Sequence, residues 1–165
     1  AVQSNILEKG GGHKMAGGFT INEDKIPIFR NLLIRNFEKF YTNSSNDLNL
    51  FLDSAIAPTA LNENFLHEIN SLAPFGSGNA EPKFVIENIK VLSSYLVGDM
   101  HIKTILLGKD GSTFKGFAWN AKNTPLEQLL DQKIKKNINV AGKMRLNEWR
   151  GKKEVEFIIE DISLN

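Results

Sequence analysis

The chain has 165 residues, of which 41% are hydrophobic, and this apolar content can form the core of one ordinary domain or of two small ones. It contains no cysteine, which excludes disulfides and thiolate metal sites, and no apolar run reaches the roughly 18 residues that predict a membrane-spanning helix. The net charge of +1 indicates no general affinity for a polyanion, although residues 1–70 carry 6 basic and 8 acidic side chains whereas residues 71–165 carry 14 and 11. Because the N-terminus lacks a signal-peptide pattern, we expect a cytoplasmic protein.

The first feature along the chain is a glycine-rich segment at residues 10–18, GGGHKMAGG. Its glycine content argues against the interior of a helix or a strand. Consecutive glycines leave backbone N–H groups open to a phosphate, and a helical turn after them would direct its positive dipole end at the same anion. The candidate phosphate-binding residues are Gly10, Gly11, Gly12, His13 and Lys14. The alternative is a turn that carries a solvated histidine.

An amphipathic helix is predicted over residues 23–41, followed by a linker. The apolar side chains at helical spacing are Ile26, Phe29, Leu32, Leu33, Phe37 and Phe40. The polar segment 42–47, TNSSND, lacks ordering signals. We therefore expect a domain boundary here, with a first domain at residues 1–46.

Residues 47–82 are predicted to connect this first domain to a second one. The connector begins with an extended segment at 48–56 and continues with a short helix at 62–72. It ends in the turn-rich stretch 73–82, APFGSGNAEP.

Residues 83–165 have the layout of a small β-barrel. Apolar runs of strand character lie at residues 84–92, 102–107, 113–119, 140–146 and 155–162. A single helical pattern, residues 125–135, lies between the third and the fourth run. Five strands with one helix in that position predict an OB-fold, and hence an α+β protein overall, although other small barrels share the layout because periodicity does not specify strand order.

Strand alternation places aromatic and basic side chains together in the second and third predicted strands. His101, Lys103 and Ile105 share one side of the second strand. Lys115, Phe117 and Trp119 share one side of the third. Rings of this kind stack on bases without regard to sequence, and neighbouring lysines follow the phosphates. Periodicity does not say which side faces the core, so Phe117 and Trp119 are equally compatible with a core position.

A second basic and aromatic patch lies at residues 147–153, NEWRGKK, which we predict to be the loop between the last two strands. The alternative is an exposed hairpin in which Trp149 folds over the edge of the barrel. Together the two patches supply the candidate single-stranded-DNA-binding residues. They are His101, Lys103, Lys115, Phe117, Trp119, Lys143, Arg145, Trp149, Arg150 and Lys152.

Catalytic groups are not apparent in the sequence. The three histidines, His13, His67 and His101, lie in separate segments, and no acidic cluster offers a cage for a divalent metal. We therefore predict neither a catalytic residue nor a metal site in this chain.

Several motifs resemble the C-terminal region of RecJ-type exonucleases of the DHH phosphoesterase family. The segment LEKGGGHKMAGGFTI is similar to the GGGH motif of the DHH-associated domain, which several phosphoesterases share. The segments LAPFGSGNAEPKF, YLVGDMHIKTILL, FKGFAWN and MRLNEWRGKKEVEFIIEDI resemble the OB-containing region of RecJ in order and spacing. The resemblance extends over nearly the whole chain, and the second group of segments is the more specific.

The resemblance implies a 5′-to-3′ exonuclease of single-stranded DNA that acts in recombination and repair. It further implies that Mn²⁺ or Mg²⁺ is held by a separate N-terminal DHH domain, so this part alone is expected to bind substrate without hydrolysing it and to hold no cofactor. Gly11, Gly12 and His13 would contact substrate phosphate. We expect a monomer that binds single-stranded DNA and that has no membrane association.

Two other functions are compatible with the same sequence. The barrel could be a protein-interaction or spacer module that recruits a partner such as single-strand-binding protein. The chain could also belong to another DHH-family phosphoesterase that acts on small nucleotides or RNA, although the connector motif argues against that alternative.

Overall fold

The computed structural model describes residues 1–13, 16–41, 49–131, 133, 136–149 and 151–165, but not the side chains of Phe40, Tyr41 and Trp149. The chain divides into two compact units, Ala1–Leu50 and Phe51–Asn165. Among the described residues, no helix has both the length and the apolar character needed to cross a membrane.

The glycine-rich segment of the first unit forms a β-hairpin. Strands β1 (Lys9–His13) and β2 (Ala16–Thr20) pair antiparallel, with Gly11 opposite Gly18 and Gly12 opposite Gly17. The prediction that glycine excludes a strand here is therefore wrong, and the next described residues after His13 form β2 rather than a helical turn. Cross-strand approach explains this, because a Cβ added at Gly12 would lie 2.5 Å from the carbonyl oxygen of Ala16.

The predicted amphipathic helix is confirmed as α1 (Ile26–Tyr41), preceded by a 3₁₀ turn at Glu23–Lys25. The ring of Phe29 packs against Phe19 of β2, with the ring centroids 4.8 Å apart. Ile26 and Leu33, which lie on the same apolar side, remain exposed. The first unit thus has apolar contacts between its two parts but leaves much of the helix's apolar face open to solvent.

The described residues of the second unit form six strands and two α-helices, with a short 3₁₀ helix at Pro58–Ala60. Its strands are β3 (Ser54–Ala55), β4 (Phe84–Val97), β5 (His101–Leu107), β6 (Thr113–Ala118), β7 (Ile138–Trp149) and β8 (Lys152–Leu164). Its helices are α2 (Glu63–Asn70) and α3 (Pro125–Leu129). The five predicted strands and the helix between the third and fourth of them are confirmed, and so is the α+β fold class.

Strand pairing closes the five long strands into a ring. β4 pairs with β5, β5 with β6, β6 in parallel with β8, β8 with β7, and β7 returns to pair with β4. The short β3 adds to β4 at one edge. Closure depends on an irregularity after Ile86, because β4 pairs with β7 up to Ile89 and with β5 from Lys90 onward. This is the five-stranded arrangement expected for an OB-fold.

Several predicted boundaries differ from the structure, and the first barrel strand, predicted to end at residue 92, continues to Val97. Residues 147–153 are not a loop, because β7 continues to Trp149 and β8 begins at Lys152, with Gly151 at positive φ in the turn. Of the segment 48–56, only Ser54–Ala55 forms a strand, and residue 48 lies outside the described residues. Helix α3 ends at Leu129, earlier than predicted. The hairpin of β7 and β8 is longer than predicted because backbone pairing continues where the side chains are polar.

The core of the second unit fills the inside of the ring. Ile86, Leu106, Val140 and Phe157 are fully buried there. Helix α2 adds Leu66 and Ile69 to the same core, and its start is capped by the side chain of Asn62, which accepts a hydrogen bond from the Phe65 N–H at 2.9 Å. This core fixes which side of each strand faces outward.

Candidate nucleic-acid interface

The structure decides which sides of β5 and β6 face solvent. Ile102, Thr104 and Leu106 of β5 are buried, as are Phe114, Gly116 and Ala118 of β6. The side chains that alternate with these buried ones therefore point outward. This excludes a core position for Phe117 and Trp119. We call this surface the outer face; its residues on these two strands are His101, Lys103, Ile105, Lys115 and Phe117, and Trp119 directly follows β6.

Three rings form a cluster at one end of the outer face. The centroid of Trp119 lies 4.7 Å from those of both His101 and Phe117. The His101 ring is held by Nδ1, which accepts a hydrogen bond of 3.0 Å from the Asn120 N–H. Trp119 is 51% exposed. The cluster therefore offers an aromatic surface to solvent without rearrangement.

The outer face continues across β8 and β7. Phe117 is the partner of Ile158 on β8, and Ile158 is the partner of Lys143 on β7. Arg145 is the partner of Glu156 in the same way. The predicted cations of β7 thus lie on the surface that carries the ring cluster.

Three of the predicted cations are paired with glutamates. Lys103 Nζ lies 2.5 Å from Glu156 Oε1, and Lys115 pairs with Glu154. Lys143 Nζ contacts Glu81 Oε2 at 2.8 Å and Glu160 Oε1 at 3.5 Å. These carboxylates lower the positive potential of the outer face below what its lysines alone would produce.

The same pairs stabilise the charged form of two of the lysines. The hydrogen bond with Glu154 raises the pKa of Lys115 above its ordinary value, against a smaller opposing effect of burial. The hydrogen bond with Glu81 raises the pKa of Lys143 in the same way. Lysine is cationic at neutral pH even at its ordinary pKa. The pairs therefore do not change the charge of either side chain at that pH, and each shares its charge with a carboxylate.

A groove runs along this surface. Its first part, a cavity of about 340 Å³, is bordered by Phe117, Trp119, Arg145 and Glu156. An adjoining depression of about 380 Å³ shares Lys103 and Asn147 with the first and adds Lys115, Lys152 and Glu154. Within the part of the chain that the structure describes, neither Arg145 nor Lys152 forms an ion pair. These two cations are free to meet an anionic ligand.

The remaining predicted residues belong to the first unit or lie outside the described residues. Gly10, Gly11, Gly12 and His13 lie on the exposed hairpin of the first unit. Lys14, Arg150 and the side chain of Trp149 lie outside the described residues. Among the residues that are described, no group of three or more metal-ligating side chains gathers in one place.

Sequence reasoning missed two residues of the outer face. Tyr95 is the partner of Lys103 on β4 and is 51% exposed, but it lay beyond the predicted end of the first strand. The aromatic and aliphatic run Tyr95–Val97, which has strand propensity, was the signal that could have extended that strand. Glu156 was overlooked because its burial depends on neighbours from β5 and β7.

Comparisons with known proteins agree with the fold and with the resemblance noted in the sequence. The profile of the RecJ OB domain family matches residues 52–161. The chain is 27% identical over 159 residues to the single-stranded-DNA-specific exonuclease RecJ of Dickeya dadantii, covering 95% of this chain and 27% of that protein. It is 24% identical over 163 residues to the Bacillus subtilis protein of the same name, covering 98% and 20%. The chain thus spans about a quarter of the length of these relatives.

A solved structure has the same fold. The crystal structure of RecJ from Thermus thermophilus in complex with Mn²⁺ aligns with 98% of this chain and 22% of its own, with a TM-score of 0.62 and 23% identity. The structure of that protein with Mg²⁺ aligns with a TM-score of 0.59. Since the family profile covers more than half of the sequence, and the closed five-stranded ring is the architecture it describes, this chain belongs to the RecJ OB domain family.

Proposed function

We propose that this chain is the substrate-binding part of a RecJ-type exonuclease and that its outer face holds single-stranded DNA. The observation that carries the proposal is the exposed ring cluster of His101, Phe117 and Trp119, which borders a groove containing Arg145. The parent enzyme would act in DNA recombination and repair in the cytoplasm.

The chemistry of the outer face suits an unpaired strand. Stacking of a base on an exposed ring contributes about 1 to 3 kcal/mol and is independent of sequence. Arg145 and Lys152, which line the groove, would contact the phosphates. Bases of a duplex are stacked on each other and cannot offer their faces to the rings, so a single strand should bind more tightly.

The hairpin of the first unit is proposed to contact phosphate as well. Gly10, Gly11, Gly12 and His13 are exposed, and a side chain added at Gly11 would meet only open space. In a two-stranded sheet half of the backbone N–H groups point away from the partner strand, so they are available to an anion. In this proposal residues 1–46 end the phosphate-binding domain, 47–82 connect, and 83–165 bind DNA.

Hydrolysis is assigned to a part of the parent enzyme outside this chain. Mn²⁺ or Mg²⁺ would activate water for attack on phosphorus there. Because the described residues gather no metal-ligating group, no catalytic step is assigned to them. The chain alone is expected to bind DNA as a monomer without degrading it.

Fluorescence anisotropy with a labelled oligonucleotide tests the proposal. The chain should bind a single strand more tightly than the corresponding duplex, and the affinity should fall steeply with salt. Trp119→Ala should weaken binding by about 1 to 3 kcal/mol. Phe51→Ala is the matched control, because this ring is 81% exposed and lies outside the outer face. Equal loss in both variants, or equal affinity for duplex, would contradict the proposal.

The glutamate pairs favour a second candidate, a module that recruits a protein such as single-strand-binding protein. Lys103, Lys115 and Lys143 are each neutralised by a carboxylate, which weakens the attraction for phosphates. Charge reversal at Arg145, with binding to DNA and to the candidate protein measured in parallel, separates the two functions. Loss of protein binding alone would favour recruitment.

A further inference from the structure

Glu156 is a buried carboxylate on the outer face. Its neighbours in β8, Val155 and Phe157, point into the core, whereas Glu156 points toward β5 and β7 and is only 5% exposed. Lys103 Nζ lies 2.5 Å from its Oε1, and Asn147 Nδ2 donates to the same oxygen at 3.0 Å. Two donors therefore hold one carboxylate oxygen in place.

The second oxygen, Oε2, receives no hydrogen bond from the described residues. An ionised carboxylate accepts about four hydrogen bonds, and no buried side-chain oxygen of the described residues lacks a partner, so Oε2 is reached by solvent and can accept from a further donor. Glu156 also lines the groove beside Phe117 and Trp119. The structure thus places an acceptor with unused capacity next to the surface on which bases would stack.

We propose that Glu156 Oε2 accepts a hydrogen bond from the exocyclic amino group of a base stacked on the ring cluster, so that the groove prefers an amino-bearing base to thymine. This inference rests on the proposed binding of single-stranded DNA. Cytosine N4, adenine N6 and guanine N2 carry such amino groups, and carboxylates pair in this way with cytosine N4. Thymine has no amino group, and its N3–H donor lies between two carbonyl oxygens, which a carboxylate repels.

Charge also determines which part of the nucleotide lies at Glu156. A phosphate beside this carboxylate would be repelled, whereas Arg145 and Lys152, along the groove, attract it. The base edge is then directed to Glu156 and the phosphates to the cations. Lys103 and Asn147 act as positioning residues, because they hold the carboxylate in one orientation.

A comparison of cytosine and thymine oligonucleotides tests the inference. Strands of about 15 nucleotides, the scale of one OB-fold site, are measured by anisotropy with the wild-type chain. We expect the cytosine strand to bind about fivefold or more tightly, which is the lower end for a direct base contact. N4,N4-dimethylcytosine removes both donors of the amino group, so a strand containing it should fall to the thymine level.

Glu156→Gln is the diagnostic variant. Its carbonyl oxygen can keep the contacts with Lys103 and Asn147, which leaves an amide N–H₂ donor facing the groove where an acceptor was. The preference for cytosine should disappear or reverse toward thymine. Glu154→Gln is the matched control, because Glu154 pairs with Lys115 but is more exposed; it should change the affinity for both strands equally.

Each outcome bears on one of the two proposals. Equal wild-type affinity for the two strands overturns the role of Glu156 and leaves DNA binding intact. Equal strengthening of both strands by Glu156→Gln also overturns it, because the carboxylate would then act only as a negative charge. Failure of the wild-type chain to bind either strand overturns both proposals. The wild-type measurements with modified cytosine remain decisive if Glu156→Gln does not fold.

Discussion

The two units of the chain leave apolar side chains exposed for different reasons. In Phe51–Asn165 the strands close on a buried core, and the rings outside are those that strand alternation directs away from it. In Ala1–Leu50 a hairpin meets one helix, and Leu33 of that helix is 53% exposed because the two elements cannot enclose it. An exposed ring on a closed barrel therefore indicates a binding surface more strongly than an exposed leucine on a half-covered helix.

Glycine also has a different role in each unit. Gly12 permits the two strands of the hairpin to approach closely, while Gly142 permits β7 to approach β8 at an irregularity in their pairing. A side chain at Gly142 would overlap the carbonyl oxygen of Ile158, within the closed ring. The same residue type thus shapes an exposed ribbon in one unit and the ring that encloses the core in the other.

Removing an aromatic ring from the barrel core should give the largest difference in stability between a substitution in the second unit and one in the first. Phe157 is fully buried and packs edge-to-face against Phe114 at 6.4 Å. Phe157→Ala should reduce the free energy of unfolding by about 3 to 5 kcal/mol, through lost burial and the cavity left behind. Urea denaturation followed by tryptophan fluorescence measures this directly, since both tryptophans lie in the second unit.

Leu33→Ala is the control for that measurement. We expect it to shift the fluorescence transition by less than about 0.5 kcal/mol, because Leu33 is exposed in the other unit. A comparable loss of stability in both variants would show that the stability of the barrel depends on the first unit. The contrast between the two units would then not hold.

The two kinds of glycine can be separated by adding a methyl group. Gly142→Ala should destabilise the barrel by about 1 to 3 kcal/mol, because the backbone must shift to relieve the overlap with Ile158. Gly11→Ala places its methyl group in open space and should change stability little. Urea titrations followed by circular dichroism, which detects both units, check this pair. Equal effects would mean that the pairing at Gly142 is more adaptable than its geometry indicates.

Tyr95 tests how far the outer face extends along β4. If its ring stacks on a base, Tyr95→Ala should weaken binding of single-stranded DNA by about 1 kcal/mol, the low end for a base–ring contact. Tyr95→Phe keeps the ring and should bind as the wild type does. Phe51→Ala, a ring removal outside the outer face, is the second control in the same anisotropy titration. An effect of Phe51→Ala as large as that of Tyr95→Ala would argue against a specific contact at Tyr95.

The smallest effect is expected at the ion pairs of Lys143. Lys143→Met leaves Glu81 without its lysine and should cost about 0.2 to 1 kcal/mol in the free energy of unfolding, the range for partly exposed pairs. Because the folded-state pKa of Lys143 is raised above the ordinary 10.5, the contribution is complete below 10.5 and is lost as pH rises through the higher folded value. Urea titrations should therefore give a constant difference between pH 7 and pH 9, to within about 0.3 kcal/mol. A difference that vanished within that interval would contradict the assigned pairing.

The strands of the barrel could be predicted because their alternation is a local property of the chain. His101, Lys103 and Ile105 belong together in any β conformation, whatever the rest of the fold. The glycine hairpin was missed for the opposite reason, since the low strand propensity of glycine is local whereas the contact between Gly12 and Ala16 is made across the sheet. The prediction of a loop at residues 147–153 was wrong for a similar reason: pairing between β7 and β8, which no local pattern shows, extends both strands.

By itself, the sequence determined the order of the five long barrel strands and the helices, the absence of cysteine chemistry and the sets of side chains that share one side of each strand. Only the tertiary structure decided which side is outward, because closure of β4 on β7 buries whichever set points into the ring. It also decided that Lys103 meets Glu156, 53 positions along the chain, and that this carboxylate lies beside the rings. Such partners come from distant strands, and the distance between them depends on the registers of all the strands that lie between.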